Sequence, residues 1–463
     1  MADSLENTSR DSGMERALAV RPTPRQLAWQ RLEYIAFAHF GINTFTDREW
    51  GDGTEDPVLF NPTAFDADQW AEACRDAGMK MLILTAKHHD GFCLWPSAHT
   101  EHSVKSSPWL SGQGDVVREV SAACARAGLK FGVYCSPWDR HEKSYGDSPT
   151  YNEFFRAQLR ELLTQYGEIG ELWFDGACAE GPNGKRQEYD WESYYALARE
   201  LQPDAAIAIC GPDVRWVGNE SGLAREDEWS VLTASATDQA EVAANFLDFD
   251  AQQKDVGSRE KLRDAERLIW YPAECDVSIR PGWFYHAAQD LQVKSLEHML
   301  DIYYRSIGRN SVLLLNVPPD KRGLFHENDV ARLKELRAAL DATFATDWAL
   351  AAKGGGAAVD GACDSWWSAE EDGATLELDL GDDRTFDRLL VEEVIEEGQR
   401  VECFVLEGWH GGEWKEIVRG GSIGYRRLER FGLVTAQRVR LRIEETRGPV
   451  RLRRCGLFSS VAQ

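Results

Sequence analysis

Residues able to do chemistry recur through the first part of the chain, each group at or just past the end of an apolar run. His39 follows the first run, Lys87-His88-His89-Asp90 follows the second, and Tyr134 and Trp138 mark the third. Asp175 ends the fourth; Asp213, Arg215 and Glu220 follow the fifth; Glu274, Arg280 and Trp283 follow the sixth. Each residue alone has a structural explanation, and the recurrence is what singles the set out. Asp175 stands between Leu172-Trp173-Phe174 and Gly176, at the mouth of a buried strand where glycine lets the chain turn closely. A carboxylate there can serve catalysis or cap a helix, and spacing alone weighs the two equally. Glu220 is flanked by small residues in Asn219-Glu220-Ser221-Gly222, whereas Glu226, Asp227 and Glu228 form a charged run whose default place is solvent.

The His88-His89 pair raises the question of a metal. Adjacent residues on a strand point to opposite faces, so both can share a site only if the strand has already ended. The chain has no His-x-His or His-Glu-x-x-His pattern, which metal hydrolases commonly use. Hydrogen bonding to a polyol is the favoured reading, because a neutral imidazole both donates and accepts. No cofactor and no metal is expected.

The elements that must position these residues are legible as alternating apolar runs and amphipathic stretches. The runs are Ile35–Phe45, Met81–Thr85, Phe131–Cys135, Glu171–Phe174, Ala206–Cys210, Leu268–Tyr271 and Val312–Val317. Their near-continuous apolar character suits parallel strands covered on both faces. Between them, Asp66 can cap a helix that Gly78 stops, and Phe155, Leu159, Leu162 and Tyr166 share one helical face. Ala77-Gly78-Met79-Lys80 and Ala127-Gly128-Leu129-Lys130 each end a helix and launch a strand, 50 residues apart. Repeated units of this kind predict an α/β fold, a (β/α)8-like TIM-type barrel, with an eighth strand that the pattern does not reveal. Active sites of such barrels lie at the C-terminal ends of the strands, where the polar groups fall. Residues 239–266 are acidic and unpatterned and read as a long surface excursion near the site. After Lys353-Gly354-Gly355-Gly356 the pattern changes: Val401, Cys403 and Val405, then Val439, Leu441 and Ile443, alternate with polar neighbours. That period of two predicts an antiparallel β-sandwich. The expected organisation is a disordered tail over residues 1–20, a barrel over 21–348 and a sandwich over 349–463.

Composition bounds the partners. The 463 residues carry a net charge of −25, which disfavours nucleic acid and anionic membrane. Seventeen tryptophans suit core packing and also sugar stacking, since flat apolar sugar faces lie well on indoles. Ten cysteines without a Cys-x-x-Cys pair, several of them (Cys135, Cys210, Cys403) inside apolar runs, read as free thiols in a reducing compartment. Residues Met1 to Arg16 show no apolar h-region and no run of 18 apolar residues occurs, so the expectation is a cytoplasmic location. Oligomeric state is not legible.

Four motifs together resemble glycoside hydrolase family 29, the retaining α-L-fucosidases: His39-Phe40-Gly41, Lys87-His88-His89-Asp90-Gly91-Phe92, Leu172-Trp173-Phe174-Asp175-Gly176 and Asn316-Val317-Pro318-Pro319. They occur in the family's order across roughly residues 22–345. Gly211-Pro212-Asp213-Val214-Arg215-Trp216 leading to Glu220, Trp270-Tyr271-Pro272-Ala273-Glu274, and Ser278-Ile279-Arg280-Pro281-Gly282-Trp283 are similar to the bacterial 1,3/1,4-α-L-fucosidase branch. That branch removes fucose from Lewis-type branched oligosaccharides. The C-terminal segment resembles its discoidin-like, galactose-binding-like sandwich.

The resemblance implies that Asp175 is the nucleophile and Glu220 the acid/base. It implies that His39, His88, His89, Glu49 and Tyr134 bind fucose hydroxyls, with Trp50, Trp173 and Trp283 as an aromatic wall. Retaining hydrolysis uses two carboxyl groups about 5–5.5 Å apart, and burial beside Asp175 is expected to keep Glu220 protonated. Glu274 is the stronger rival for the acid. Two other readings compete: a metal-dependent barrel hydrolase, and a catalytically silent sugar-binding protein. The Trp366-Trp367 pair of the sandwich is expected to serve packing rather than sugar binding.

Overall fold

The computed structural model describes residues 13–234, 253–263, 265, 267–350, 352–370 and 372–460. The first ten strands are β1 (Tyr34–Ala38), β2 (Met81–Lys87), β3 (Lys130–Cys135), β4 (Glu171–Phe174), β5 (Ala206–Ile209), β6 (Arg215–Trp216), β7 (Val231–Ala234), β8 (Arg267–Trp270), β9 (Ala273–Ser278) and β10 (Val312–Asn316). Eight of them form one sheet in the order β5-β4-β3-β2-β1-β10-β9-β6. Every ladder in it is parallel. The outermost strands β5 and β6 approach each other, so the sheet curls into a nearly closed barrel with one seam lacking a ladder. Strands β1, β2 and β10 are buried along their whole length, as apolar strands covered by helices outside and side chains inside must be. Fully burying one such Leu or Ile stabilises the fold by about 1.5–3 kcal/mol.

The helix signals act as their chemistry dictates. Asp66 Oδ1 accepts from Gln69 N at 3.1 Å to open the helix Ala67–Asp76, and Asp115 does the same for Val116–Ala127 through Arg118 N. Gly78 and Gly128 follow these helices with φ of 87° and 74°. Left-handed backbone favours glycine, which explains the repeat and the launch of β2 and β3 from it. Phe155, Leu159 and Leu162 are fully buried on the helix Ser148–Gln165.

Four expectations change. The missing eighth strand is β6, only two residues long and too short to show as an apolar run. Leu268–Tyr271 is not a barrel strand: β8 pairs antiparallel with β7 outside the barrel. The barrel strand is β9, so Glu274 lies within a strand rather than beyond one. Alternating polar residues directed into the barrel break the apolar pattern there. The first run is a strand only to Ala38; Ile42–Thr46 is a short helix. Residues 13–19, expected in the disordered tail, form a helix whose Ala17 packs with Val231, Leu262, Trp270 and Ile395. Residues 1–12 of that tail, and residues 239–252, 264 and 266 of the anticipated excursion, lie outside the described residues.

The C-terminal strands are β11 (Trp367–Ala369), β12 (Thr375–Glu393), β13 (Val401–His410), β14 (Glu413–Gly420), β15 (Arg427–Thr446) and β16 (Val450–Phe458). They pair antiparallel in the order β11-β16-β12-β15-β13-β14. The two longest, β12 and β15, carry bulges against each other near Asp379 and Phe386. Bulges bend strands, and the bent sheet encloses Leu376, Leu389, Phe404, Val439 and Leu441 as the core of a β-sandwich. Trp367 packs on that core, while Trp366 is 40% exposed.

The sandwich grips the segment that follows Glu220. Arg427 Nη2 bonds Glu226 Oε1 at 2.5 Å, Ser422 N donates to Asp227 Oδ1 at 2.8 Å, and Gln399 Nε2 donates to the Glu228 carbonyl at 3.0 Å. The guanidinium of Arg447 lies 3.4 Å from the centre of the Trp229 ring. The charged run is therefore not a solvated loop throughout. Glu226 and Asp227 are mostly exposed, but Glu228 is buried between Arg215 and Arg225. Two cations compensate a charge that burial would otherwise make costly, and they hold its carboxyl below the usual range despite that burial.

Candidate active site

At the C-terminal mouth of the barrel one pocket is lined by Phe37, His39, Glu49, Trp50, His88, His89, Trp173, Asp175, Ala177, Glu220, Asp276 and Trp283. Nine of the ten residues singled out from sequence line it. The tenth, Tyr134, is fully buried behind the wall and reaches the site through a hydrogen bond.

Asp175 sits one residue beyond the end of β4. Its Oδ2 accepts from Tyr134 Oη at 2.8 Å and its Oδ1 from Ala177 N at 2.7 Å. Both oxygens are tethered, so the carboxyl has one orientation in the pocket. Its side chain keeps 23% exposure, which leaves it open to a ligand.

The histidines are arranged by a single amide. Asn316, the last residue of β10, donates from Nδ2 to the Trp283 carbonyl at 2.8 Å and to Ser278 Oγ at 2.9 Å. A carbonyl only accepts, so the amide orientation is fixed and Oδ1 faces His39. Oδ1 accepts from His39 N at 3.1 Å and lies 2.9 Å from His39 Nδ1. Nδ1 must then carry the proton, leaving Nε2 as an acceptor. A similar argument fixes His89. Ser136 Oγ donates to the Trp138 carbonyl at 2.7 Å, so it accepts from His89 Nδ1, also at 2.7 Å. His89 Nε2 lies 3.7 Å from Asp175 Oδ2, too far for a direct hydrogen bond.

Strand β2 ends at Lys87, so His88 and His89 have left the strand and both turn into the pocket. Burial disfavours the charged imidazole and lowers all three pKa values: to about 3 for His39, well below 6.5 for His88, and below it for His89 despite the pull of Asp175. Three neutral imidazoles result, each able to donate and accept.

Glu49 is held from the opposite loop. It accepts from Trp283 N at 2.8 Å and Phe284 N at 3.2 Å, and it lies 2.6 Å from His286 Nε2. Trp50 is 54% exposed and stands edge-on to His89 and Trp138. Trp173 stacks on Tyr134 and donates from Nε1 to Glu274 Oε1 at 2.7 Å.

The carboxyls differ from expectation. Glu220 is exposed at the rim and accepts from Trp283 Nε1 at 3.2 Å. It is not buried. Glu274 does not line the pocket; it lies beneath Trp173, buried beside Glu171, which in turn accepts from Trp29 Nε1 at 2.7 Å. Burial and mutual repulsion raise Glu274 well above the usual carboxylate range, and burial raises Glu171 to about 7. Glu171 Oε1 and Glu274 Oε2 are buried without a hydrogen-bond partner among the described residues. The buried carboxyl that does line the pocket is Asp276, which sequence reasoning missed. Its signal was the alternation Glu274, Asp276, Ser278 along β9, a period of two that puts all three on the barrel's inner side. Arg280 and Asp213 serve elsewhere: Arg280 is bonded to Asp329 and Asp290, and Asp213 pairs with Arg199.

Comparison with known proteins agrees with this geometry. The family model described as Alpha-L-fucosidase matches residues 34–342. Alpha-L-fucosidase 1 of Arabidopsis thaliana is 41% identical over 94% of this chain and 87% of its own length. A solved structure from Bacteroides ovatus superposes with a TM-score of 0.90 at 50% identity, over 97% of this chain and 76% of that one. A glycoside hydrolase family 29 fucosidase from Ruminococcus gnavus, solved in complex with fucose, gives a TM-score of 0.83 at 32% identity, over 96% and 95% of the two chains. With the barrel, the histidine-lined pocket and the matched length together, the chain belongs to the α-L-fucosidase family, glycoside hydrolase family 29.

Proposed function

We propose that the chain is a retaining exo-α-L-fucosidase that releases α-1,3/1,4-linked fucose from Lewis-type oligosaccharides. The observation that carries this reading is Asp175, double-tethered and still accessible in a pocket that neutral His39, His88 and His89 line. Such a pocket suits an uncharged polyol. Imidazole Nε2 acceptors and the Glu49 carboxylate take the protons of sugar hydroxyls, while Trp173, Trp283 and Phe37 offer apolar surface. Fucose lacks a 6-hydroxyl, and Trp283 can accept its methyl group.

In the proposed reaction Asp175 attacks the anomeric carbon as Glu220 gives its proton to the leaving oxygen, forming a glycosyl ester. Glu220 then takes a proton from water, which attacks the same carbon and releases fucose and the free Asp175 carboxylate. Glu220 is exposed at the rim, as suits a group meeting the leaving sugar. A substrate lying over it and Trp283 excludes water there, and apo geometry commonly tightens on binding. The 1,3/1,4 preference rests on the motifs around Glu220 and Trp283, which form the rim where a second sugar would lie.

The test is kinetic. The chain should hydrolyse an aryl α-L-fucoside with net retention, read by NMR of the first-formed anomer. A Lewis-type trisaccharide should exceed a 1,2-linked fucosyl disaccharide in kcat/KM by at least tenfold. Inversion would remove the mechanism; equal kcat/KM would remove the linkage preference and leave the family assignment standing.

A further inference from the structure

Asp276 is a carboxyl that neither the nucleophile nor the acid/base role absorbs. It lies on β9, two residues beyond Glu274, and reaches the pocket although the residue is only 5% exposed. Its Oδ1 accepts from Trp216 Nε1, on the neighbouring strand β6, at 2.7 Å. Apart from its own backbone N–H, no other residue among those described is seen to bond the carboxyl. The charged and titratable groups around it are Glu274 on its own strand, Glu220 from the loop after β6, and, across the pocket, Asp175 from β4 and His39 after β1.

This environment selects a protonation state. Burial, then the negative neighbours Glu220 and Glu274, hold the carboxyl well above the usual range, and the Trp216 hydrogen bond only partly opposes them. In the acid form that this environment favours, the group carries an O–H on the oxygen that Trp216 does not occupy. The rest of the pocket is rich in acceptors: His39 Nε2, His89 Nε2, Glu49 and Asp175. A sugar hydroxyl is both donor and acceptor, and beside these acceptors the pocket offers few donors, the neutral His88 ring among them, so a further donor would satisfy lone pairs whose neglect is costly once water is excluded.

We propose that Asp276 is a substrate ligand that donates a hydrogen bond, from Oδ2–H, to a hydroxyl oxygen of the bound sugar. The inference rests on the glycosidase reading of this pocket and adds a binding residue to it. Trp216 is the positioning residue, because its indole N–H demands an acceptor and so directs the protonated oxygen toward the sugar. A neutral Asp276 also places no second negative charge beside Glu220.

The same indole makes the test decisive. In Asp276→Asn, Trp216 selects the amide oxygen for the Oδ1 position and turns the N–H2 into the pocket. Asparagine thus reproduces the donor of the neutral acid, whereas an ionised aspartate would only accept. L-Fucose binding to the full chain should be measured by calorimetry between pH 6 and 9, beside aryl α-L-fucoside kinetics. At pH 6 the expected loss of affinity is at least tenfold in Asp276→Ala and at most threefold in Asp276→Asn. Wild-type affinity should fall more steeply toward pH 9 than that of Asp276→Asn, whose amide does not titrate. The proposal is overturned if Asn lies closer to Ala than to wild type, if Ala binds as wild type does, or if the two pH slopes coincide. Should Ala fail to fold by thermal melting, a loss of tenfold or more in Asn overturns it alone. A wild-type chain that neither binds L-fucose nor cleaves the aryl fucoside overturns the glycosidase reading as well; one that does both confines the failure to Asp276.

Discussion

Tyr134 Oη donates to Asp175 Oδ2 at 2.8 Å from a position with no solvent exposure of its own. Burial and the adjacent Asp175 charge both raise the Tyr134 pKa well above 10, so the phenol stays a donor across the working pH range. A hydrogen bond to a charged group is worth about 1.5–3 kcal/mol. Tyr134→Phe should therefore lower kcat/KM on an aryl α-L-fucoside by roughly 10- to 100-fold. The melting temperature should change little, because the ring keeps its stacking on Trp173. A variant within threefold of wild type would show that the tether does not matter for turnover.

Asp175→Asn is close to isosteric. The amide oxygen can still accept from Ala177 N, and the amide nitrogen can donate to Tyr134 Oη once that hydroxyl rotates. The fold should persist, with unchanged circular dichroism and melting. Turnover should fall by at least about 10³-fold, because an amide cannot form the glycosyl ester. Near-normal kcat would remove Asp175 from the nucleophile role.

The imidazole of His286 bridges Asp47 Oδ1 at 2.7 Å and Glu49 Oε1 at 2.6 Å. Burial works against its charge, but the two carboxylate hydrogen bonds prevail and raise its pKa above 6.5. For a group raised on folding, the stabilisation is complete below the unfolded pKa and disappears as pH climbs through the folded one. The wild-type melting temperature should thus drop more between pH 6 and pH 9 than that of His286→Gln, measured side by side. Parallel pH profiles would show that the bridge does not stabilise the loop carrying Trp283.

How far the sequence revealed this architecture depended on where polar groups lie. Strands such as β2 and β10 are apolar on both faces and stood out as runs. Strand β9 did not, because Glu274, Asp276 and Ser278 point into the barrel and imitate a polar loop; β6 was too short to leave a pattern. Most of the pocket was legible because its residues sit at or just beyond strand ends, where polar groups follow apolar runs. Asp276 was hidden with its strand. Glu228 looked solvated because one of its partners, Arg215, lies 13 residues away on strand β6, a pairing no local pattern encodes. The exposure of Glu220 follows from the path of its loop, which residue type does not specify.

The acid/base role allows a direct comparison of three carboxyls. Glu220 is at the rim on Trp283, Asp276 lies buried in the pocket wall, and Glu274 is beneath Trp173, buried beside Glu171. A general acid matters most where the leaving group is poor, and typically contributes about 10²–10⁴-fold. If Glu220 holds the role, Glu220→Ala should lose activity in that range on a Lewis-type trisaccharide. Its first step on an aryl fucoside with a good leaving group should suffer far less. Azide should then restore turnover, because it attacks the glycosyl ester without needing a base, and glycosyl azide should be detectable as product. Asp276→Asn should show neither leaving-group dependence nor azide rescue, since its loss is one of binding. Glu274→Ala should instead lower the melting temperature, because it removes the acceptor of the Trp173 indole and leaves a cavity in the barrel core. Azide rescue confined to Asp276→Ala would transfer the acid/base role to Asp276 and leave Asp175 as nucleophile. Rescue confined to Glu274→Ala would require the Trp173 indole to swing aside and admit substrate to the barrel interior.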